Sequence, residues 1–376
     1  MNTKRTLSLL LAALLALGCF AAFAGCQKQP QLDPNGTHTV VDHNDNSVEV
    51  PNTVNRVVVA DIFPLPSVLA VFFDSAEKIV GMPPASMAAA KNGLLGQLYP
   101  EILNAKTDFV TGSEVNLEEL LKLNPDVVIY SSDSTALGEQ LRAAGVAALA
   151  VSADKWNYNA IETLNQWISL LSEIFSETGR AEKVRDYSAK TLARVTERVS
   201  KLSDAERQRV FFLFQYSDTQ LMTSGKNFFG QWWAESIGAV NVGEELSKNK
   251  AAPVNMEQVY QWNPSLIFIT NFTTAQPSDL MNNTIGSYDW SAVDAVKTGT
   301  VYKMPLGMYR SYTAGVDTPV TLLWLAKHAY PKLFEDVNLT EETKTYYKEV
   351  FGITLTDEQA DSIFHPAAEA GKVTLG

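Results

Sequence analysis

An adjacent tyrosine and arginine near residue 310 are the residues whose types best suit binding chemistry. They lie in the stretch Pro-Leu-Gly-Met-Tyr-Arg-Ser-Tyr at residues 305–312, which follows an apolar run typical of a strand. The guanidinium of Arg310 is a fixed cation that suits a carboxylate, catecholate, propionate or oxyanion, and the phenol of Tyr309 can ligate haem iron. The alternative is that Arg310 pairs with a structural acid and Tyr309 only lines the rim of a cleft.

Further candidates follow other predicted strands. Ligands of open α/β sheets bind beyond the carboxyl ends of the strands, so polar and aromatic residues at these ends are binding candidates. Together with Tyr309 and Arg310, the candidates for the cleft are Phe63, Ser131, Ser132, Tyr216, Lys226, Asn227 and Asn271. The alternative for many of them is packing in tight loops and in the core.

Lys226 and Asn227 belong to a loop bounded by glycines, Ser-Gly-Lys-Asn-Phe-Phe-Gly at residues 224–230. Glycines there would let the N-terminus of a helix approach an anionic ligand. The loop lacks the Gly-x-x-x-x-Gly-Lys-Ser/Thr spacing, so it does not indicate nucleotide binding.

The elements that position these residues alternate between strands and helices. Apolar, β-branched runs predict strands buried on both faces at residues 56–60, 78–81, 126–130, 147–151, 210–214 and 265–269. Several segments between the strands have helical spacing of their apolar residues. Buried strands that alternate with helices indicate an α/β fold with mainly parallel sheets.

An internal repeat predicts two similar lobes. Asn116 opens the run Asn-Leu-Glu-Glu-Leu, which leads to Asn-Pro at 124–125 and a predicted strand; Asn255 opens a similar unit 139 residues later. Each copy has the pattern of a short helix stopped by Asn-Pro, which forces an extended exit into a buried strand. Between the copies, residues 181–203 have the spacing of one long amphipathic helix.

Residues 1–25 have the features of an export signal, because basic residues precede an apolar stretch that ends in small residues. A polar run follows at once, which argues against a membrane span. The ending Phe-Ala-Gly-Cys is similar to a bacterial lipobox, so we expect lipidation of Cys26 and a flexible linker at residues 26–36. The alternatives are a plain secretory signal or lipidation at Cys19.

Charge and the scarcity of soft metal ligands exclude several classes of function. The 30 basic and 42 acidic residues give a net charge of −12, which disfavours nucleic-acid binding. The four histidines are scattered and both cysteines lie within the first 26 residues, which argues against a site for bare zinc or manganese. The sequence has no Gly-x-Ser-x-Gly elbow of a serine hydrolase. We expect a binding protein rather than an enzyme, with no resident cofactor.

Several motifs together resemble one protein family. They are the lipobox, a predicted opening hairpin, Asn-Arg-Val-Val at 55–58, Asn-Leu-Glu-Glu-Leu-Leu-Lys-Leu-Asn-Pro-Asp-Val-Val-Ile at 116–129, and Trp-Ser-Ala-Val-Asp-Ala-Val-Lys-Thr-Gly-Thr-Val-Tyr at 290–302. Over roughly residues 38–330, the chain resembles the substrate-binding proteins of the iron-siderophore, haem and cobalamin ABC importers. The resemblance implies two Rossmann-like lobes with mainly parallel sheets, joined by one long rigid helix, with the ligand in the cleft between them.

The resemblance implies that the chain is divided into two lobes and an interlobe helix, followed by a C-terminal extension. Residues 37–180 form the N-terminal lobe, 181–203 the interlobe helix and 204–330 the C-terminal lobe. Residues 331–376 are expected to be an added helical extension, to which the sequence assigns no role.

The resemblance also implies a role for two repeated acids. In this family one surface glutamate of each lobe docks onto arginines of the permease, and the matching positions are Glu118 and Glu257. Separated carboxylates of this kind would fix the orientation of docking by charge. The alternative is that an acid in the first turn only stabilises its helix.

The implied function is capture of an iron chelate (a siderophore or haem) or similar metal complex, and its delivery to an ABC permease with a cytoplasmic ATPase. We expect a monomer that is tethered by lipid outside the cytoplasm. A corrinoid and molybdate or tungstate are alternative ligands. A ligand-sensing or adhesin lipoprotein is an alternative role, because a fold alone does not determine function.

Overall fold

The computed structural model describes residues 33–112, 114–177, 179–247 and 250–372. The predicted signal peptide and the predicted lipidation site, Cys26, lie outside these residues. Within the described ranges, no helix is both long enough and apolar enough to cross a membrane.

Strands and helices alternate along most of the chain. The strands are β1 (Thr37–Val41), β2 (Ser47–Pro51), β3 (Val57–Val59), β4 (Ile79–Gly81), β5 (Val110–Thr111), β6 (Glu114–Val115), β7 (Val127–Ser131), β8 (Ala147–Val151), β9 (Arg209–Tyr216), β10 (Leu221–Ser224), β11 (Val240–Asn241), β12 (Ala251–Pro253), β13 (Leu266–Ile269) and β14 (Val301–Lys303). The α-helices are α1 (Leu65–Phe73), α2 (Pro84–Asn92), α3 (Leu94–Leu98), α4 (Leu117–Leu121), α5 (Thr135–Ala143), α6 (Ala160–Ile174), α7 (Arg180–Val199), α8 (Phe229–Ser236), α9 (Met256–Trp262), α10 (Pro277–Asn282), α11 (Asp294–Thr298), α12 (Thr318–Ala329), α13 (Leu339–Tyr346) and α14 (Asp357–Ser362). Shorter turns are the 3-10 helices Pro100–Asn104, Asp204–Glu206 and Ala368–Gly371 and the π-helical turn Tyr347–Phe351.

The first sheet is parallel throughout, with the strand order β4-β3-β7-β8. Valines form its centre, where Val57 pairs with Val127 and Val58 with Val128, and all four side chains are fully buried. Branched side chains favour the strand conformation, and burial on both faces requires a helical layer on each side. This sheet confirms the predicted α/β class.

The second sheet is mixed, with the order β12-β10-β9-β13-β14 and with β11 beside the start of β9. β13 runs parallel to β9 and β14, whereas β10 runs antiparallel to β9 and β12. The antiparallel edge arises because a tight turn, closed by Ser217 N–H to the carbonyl of Gln220 at 2.9 Å, joins β9 directly to β10. The centre of this sheet therefore has the predicted parallel arrangement, and one edge does not.

The sequence repeat forms the same local structure twice. The side chains of Asn116 and Asn255 cap helices α4 and α9 by accepting a hydrogen bond from the backbone N–H three residues later, at 3.1 and 2.9 Å. After each helix an asparagine adopts the left-handed conformation directly before a proline: Asn124 with φ 47° and Asn263 with φ 42°. The chain then enters an interior strand, β7 or β13. The two copies therefore occupy equivalent places in the two sheets.

Helix α7 connects the two lobes. It packs against α6 and α12, and its side chains Val184 and Val195 are fully buried. One continuous apolar core includes residues of both sheets, α6, α7 and α12, while each sheet has a separate core on its other face. The lobes therefore share a core and are not joined by a flexible linker.

The C-terminal region, defined here as residues 331–372, folds back onto helix α7. Arg194 of α7 forms an ion pair with Glu342 at 2.5 Å, and Arg198 forms one with Asp336 at 2.6 Å. Because the guanidinium of Arg198 also lies 5.0 Å from the ring of Phe334, charge and packing together hold this region against the lobes.

The opening hairpin of β1 and β2 is held against β8 by two side chains. The carboxylate of Asp42 accepts a hydrogen bond from Ala150 N–H at 2.9 Å, and the ring of His43 accepts one from Ser152 N–H at 3.1 Å. A ring nitrogen that accepts a hydrogen bond is unprotonated, and burial lowers the pKa of His43 to about 4. The ring also meets Trp156 edge to face at 4.9 Å.

The neutral state of His43 predicts a pH dependence of stability. The unfolded histidine titrates near pH 6.5, so its contribution to the free energy of unfolding is complete above that pH and is lost as the pH falls towards 4. The loss amounts to at most about 3 kcal/mol. Urea unfolding of the wild type and of His43→Asn should therefore give a stability difference that shrinks on acidification. A difference that stays constant over this interval would contradict the neutral, buried imidazole.

Candidate ligand-binding cleft

Segments that follow strands in one lobe meet segments that follow strands in the other. Beyond β8, the ring of Tyr158 packs against Phe228 and Phe229, with centroids 5.5 and 5.1 Å apart. Beyond β4, the N–H of Leu94 donates to the carbonyl of Gly307, beyond β14, at 2.9 Å. β8 and β4 are the two edge strands of the first sheet. The carboxyl ends of the strands between them therefore face one interlobe cleft, where α/β proteins bind ligands.

The first lobe contributes a polar wall that Asp61 organises. The carboxylate of Asp61 accepts hydrogen bonds from Ser131 N–H at 2.6 Å and from the hydroxyl of Ser134 at 2.5 Å. Burial raises the pKa of Asp61, and these two hydrogen bonds oppose the rise. The predicted ligand residues of this wall are half-buried: Phe63, Ser131 and Ser132.

The loop at residues 224–230 forms part of the opposite wall. A Cβ on Gly230 would lie 2.5 Å from the side chain of Ser224, so this position requires glycine. The N–H of Gly230 donates to the hydroxyls of Ser224 and Tyr312 at 3.0 and 3.1 Å. This amide at the start of α8 therefore bonds to protein hydroxyls in the present structure. The predicted contacts in this loop are exposed: Lys226 and Asn227.

Tyr216 lies in the apolar core on the other face of the second sheet. Its hydroxyl donates to the carbonyl of Ile285 at 3.2 Å and accepts from the indole N–H of Trp290 at 2.9 Å. The structure therefore does not bring Tyr216 together with the other predicted binding residues. Its place at the end of β9 suggested a cleft residue on the face of Phe212 and Phe214. A shift of the β9–β10 register between Gln215 and Leu213 breaks the alternation of side chains, and Tyr216 lies on the opposite face.

Arg310 is buried, with 1% of its surface exposed. Its guanidinium donates to three backbone carbonyls, those of Asn271 at 2.7 Å, Ala85 at 2.9 Å and Ala370 at 3.0 Å. It also lies 5.2 Å from the ring of Tyr309. Among the residues that the structure describes, no carboxylate forms an ion pair with Arg310. The N–H donors of Arg310 are thus satisfied by the dipoles of backbone carbonyl groups, while its positive charge is not neutralised by a described acid.

Three polar atoms around Arg310 lack a hydrogen-bond partner among the described residues, although they are buried: the side-chain oxygens of Asn271, Tyr309 and Ser311. The amide nitrogen of Asn271 donates to the carbonyls of Met304 and Pro305 at 2.7 and 2.9 Å, which orients its oxygen. Burial raises the pKa of Tyr309, and the Arg310 charge opposes the rise. Buried polar groups are nearly always hydrogen-bonded, so each of these three oxygens has capacity for a further hydrogen bond.

A second buried cation lies at the end of β14. The ammonium group of Lys303 donates to the carbonyls of Thr270, Thr273 and Ala275 at 2.9, 2.7 and 2.8 Å. Burial lowers the pKa of Lys303 to about 7. Lys303 and Arg310 therefore hold the loop after β13 through its carbonyl groups.

Asp317 holds the loop after β14. Its buried carboxylate accepts hydrogen bonds from Met308 N–H at 2.8 Å and from the hydroxyl of Tyr347. A Cβ on Gly307 would lie 2.5 Å from this carboxylate, so only glycine fits there. Burial raises the pKa of Asp317 to about 6.

The two predicted docking acids are surface residues. Glu118 and Glu257 are exposed in the first turns of α4 and α9. Within the described part of the chain, neither carboxylate takes part in an ion pair or a hydrogen bond, whereas the neighbouring Glu119 pairs with Lys122 at 2.6 Å. The caps of both helices are supplied by asparagine, so helix capping does not require these acids.

A cleft between two α/β lobes with a shared core is an architecture that suits a solute-binding protein. The sequence profile of the family described as periplasmic binding protein matches residues 71–306, and the chain belongs to this family. The family confirms the class that the motifs indicated, an extracytoplasmic binding protein of the ABC importer type. Among residues 33–112, 114–177, 179–247 and 250–372, no group of three His, Cys, Asp or Glu side chains could hold a metal ion.

The similarity to known proteins extends over nearly the whole chain. The molybdate-binding protein MolA of Haemophilus influenzae is 26% identical over 374 residues, which cover 94% of this chain and 98% of that protein. The structure of a periplasmic solute-binding protein of Veillonella parvula matches with a TM-score of 0.77 at 27% identity. The superposition covers 88% of this chain and 97% of the Veillonella chain. The Helicobacter pylori protein CeuE, solved with Ni(II) bound, has a TM-score of 0.69 at 21% identity. The match covers 87% of this chain and 99% of the CeuE chain. These similarities confirm the two-lobed fold.

Sequence reasoning does not identify Tyr158 as an aromatic residue beside the cleft, and it includes Tyr312 only as the end of the candidate stretch at residues 305–312. Tyr158 is half-buried and has a left-handed backbone with φ 56°. Tyr312 is fully buried, and its ring lies 5.6 Å from that of Phe228. Tyr158 follows β8, a strand end from which no candidate was taken, whereas Tyr312 follows the same strand as Tyr309 and Arg310.

The raised pKa of Asp317 predicts that the free energy of unfolding changes with pH in the direction opposite to the change that His43 causes. Between about pH 4 and 6 the folded protein keeps a proton that the unfolded chain has lost, so the free energy of unfolding should fall as the pH rises. The fall should reach about 3 kcal/mol. Comparing urea unfolding of the wild type with Asp317→Asn isolates this contribution, which the variant lacks. If the difference between them rose with pH, the buried carboxylate would not be the cause.

Proposed function

We propose that this protein binds a small metal oxyanion of the molybdate type in the interlobe cleft and delivers it to an ABC permease. The observation that carries the proposal is the buried cation Arg310, which donates to three carbonyl groups and forms no ion pair with a described carboxylate. Beside it, the hydroxyls of Tyr309 and Ser311 are buried without a described partner. A cation and two available donors are the groups that an oxyanion needs.

Charge favours an anion over a neutral ligand. A buried cation is costly unless its charge is compensated. Lys303 donates to the same loop as Arg310, and because burial lowers its pKa to about 7 it adds positive charge only in its protonated form. Carbonyl dipoles satisfy the donors of both groups, and a bound anion would supply the missing negative charge. The similarity of the chain to a molybdate-binding protein along nearly its full length supports this choice.

A ferric siderophore or haem is the second candidate ligand. Half-buried aromatic side chains follow strands of both lobes, namely Phe63, Tyr158 and Phe228. Tyr158 packs against Phe228 across the lobes, and Lys226, two residues before Phe228, is exposed. Aromatic rings and a lysine suit a large, flat or catecholate ligand with acidic groups. A corrinoid would use the same aromatic surface. In each case the protein binds its ligand and catalyses no reaction.

We also propose that Cys26 carries the lipid anchor and that the mature protein acts as a monomer outside the cytoplasm. The small residues before Cys26 and the polar linker after it support the anchoring. A ligand-sensing or adhesin role would use the same fold without a permease, so the transport proposal depends on docking.

Ligand binding can be tested by thermal unfolding of the mature chain with molybdate, tungstate, a ferric siderophore, haem and cobalamin. A ligand at 100 times its dissociation constant stabilises the folded state by about 2.7 kcal/mol. We expect molybdate or tungstate to raise the melting temperature and sulfate, a smaller tetrahedral anion, to raise it less. A shift with haem or the siderophore alone would favour the second candidate, and no shift with any of the five would contradict both.

Tyr309→Phe is the matched variant for this experiment. Its hydroxyl makes no hydrogen bond of normal geometry with a described residue and only lies near the Arg310 guanidinium, so its removal should lower the stability of the ligand-free protein by less than about 1 kcal/mol. If the hydroxyl donates to the oxyanion, affinity should fall about tenfold. Unchanged affinity for the oxyanion would show that Tyr309 does not contact it.

We propose that Glu118 and Glu257 dock onto the permease. Both acids are exposed, occupy equivalent places in the repeated units, and are not needed as helix caps. Two carboxylates on matching lobe surfaces would orient the binding protein on a basic partner.

Replacing both docking acids by lysine should lower uptake in cells by at least about tenfold while ligand affinity stays intact. The matched control is the double variant Glu139→Lys and Glu235→Lys, which makes the same charge change at one exposed position of each lobe, in α5 and α8. Glu235 accepts a hydrogen bond only from the neighbouring side chain of Gln231. Equal loss of uptake in the control, or loss of ligand affinity in the test variant, would count against docking through these acids.

A further inference from the structure

The end of the C-terminal region lies between the two lobes. The 3-10 turn Ala368–Gly371 contacts helix α2 of the first lobe. On its other side, Gly371 packs against the backbone of Thr273, in the loop after β13 of the second lobe. The turn is therefore placed at the flank of the cleft beyond β4 and β14.

Arg310 connects the turn to both lobes at once. Its three carbonyl partners belong to three different parts of the molecule: Asn271 to the second lobe, Ala85 to helix α2 and Ala370 to the turn. Because each bond ends on a backbone carbonyl, it fixes the position of the main chain and not only that of a side chain. Arg310 and the turn thus hold α2 and the second lobe at one spacing.

Gly371 fits this contact because it has no side chain. A Cβ added there would lie 1.9 Å from the carbonyl oxygen of Thr273 and 2.6 Å from the N–H nitrogen of Thr274. Both atoms belong to the backbone, so they cannot move aside cheaply. Any larger residue at position 371 would push the turn away from the lobe.

The rest of the C-terminal region holds the loop that carries Arg310. The N–H of Leu306 donates to the carbonyl of Ile363 at 2.8 Å, and the hydroxyl of Tyr347 donates to Asp317, which itself holds Met308. The region is therefore joined to the cleft loop at several points along its length.

We propose that the turn Ala368–Gly371 is an interlobe strap that holds the two lobes together at one flank of the cleft and so limits the size of ligand that the cleft accepts. The strap gives the C-terminal region a role in binding, and its action on the lobes does not depend on which ligand is bound. Its effect can therefore be measured in the ligand-free protein, separately from the proposed function.

The amide of Leu94 reports the spacing of the lobes. Leu94 begins helix α3, so its N–H has no acceptor within the helix. It donates to the carbonyl of Gly307 in the other lobe. Slow hydrogen exchange at Leu94 therefore depends on the interlobe contact.

The test compares hydrogen exchange of full-length wild type, Gly371→Ala and Gly315→Ala. Gly315 is the control, because a Cβ there meets no atom within 4 Å. Gly371→Ala should accelerate exchange at Leu94 at least about tenfold, the change expected for loss of hydrogen bonds to a buried charged group. Gly315→Ala should not, and the core strand β7 should stay protected in both variants.

Two results would overturn the proposal. Unchanged exchange at Leu94 in Gly371→Ala would show that the turn does not hold the lobes, and faster exchange in β7 as well would show that it only supports the fold. A chain ending at Pro366 removes the strap without adding an atom, and it should reproduce the Gly371→Ala result. Protection of Leu94 in that shortened chain would overturn the proposal equally.

Discussion

The guanidinium of Arg310 is buried, so each of its N–H groups needs a hydrogen-bond acceptor within the protein. The positions of these acceptors determine how the segments around the cleft are arranged. The partners of Arg310 are carbonyls of Asn271, Ala85 and Ala370, which lie in different lobes and in the C-terminal turn. An unpaired buried charge costs far more than any single apolar contact contributes. The three segments are therefore held at one point by a single side chain.

The loops beyond β13 and β14 follow the same principle. Lys303 satisfies its ammonium group with three carbonyls of one loop, and Asp317 accepts from the backbone of the other. Buried charges thus give these loops a defined shape where sheet hydrogen bonds have ended. Together with the core shared by both lobes, they oppose large movements of one lobe against the other, and Arg310 leaves positive charge where we propose that an anion binds.

The lobes were predictable from the sequence because they depend on local patterns. Asn-Pro units, valine-rich strands and the helical spacing before residue 200 each determine a short stretch, and each reappears in the structure with small shifts of its ends. The candidate site was predictable only in part. Phe63 and Arg310 follow strands and Tyr216 is the last residue of one, yet Tyr216 packs into the core on the other face of its sheet. A strand end alone does not tell which face its side chain takes.

The sequence by itself determined the family, the two-lobed α/β fold and the positions of the repeated acids, because motifs and periodicity act within a few residues along the chain. The tertiary structure decided what Arg310 contacts, which polar atoms are left without described partners, and where the C-terminal turn lies. These features depend on atoms 39, 60 and 225 positions away in sequence. Hydrogen bonds between residues so far apart in sequence produce no local sequence pattern, because they form only when folding buries both partners together.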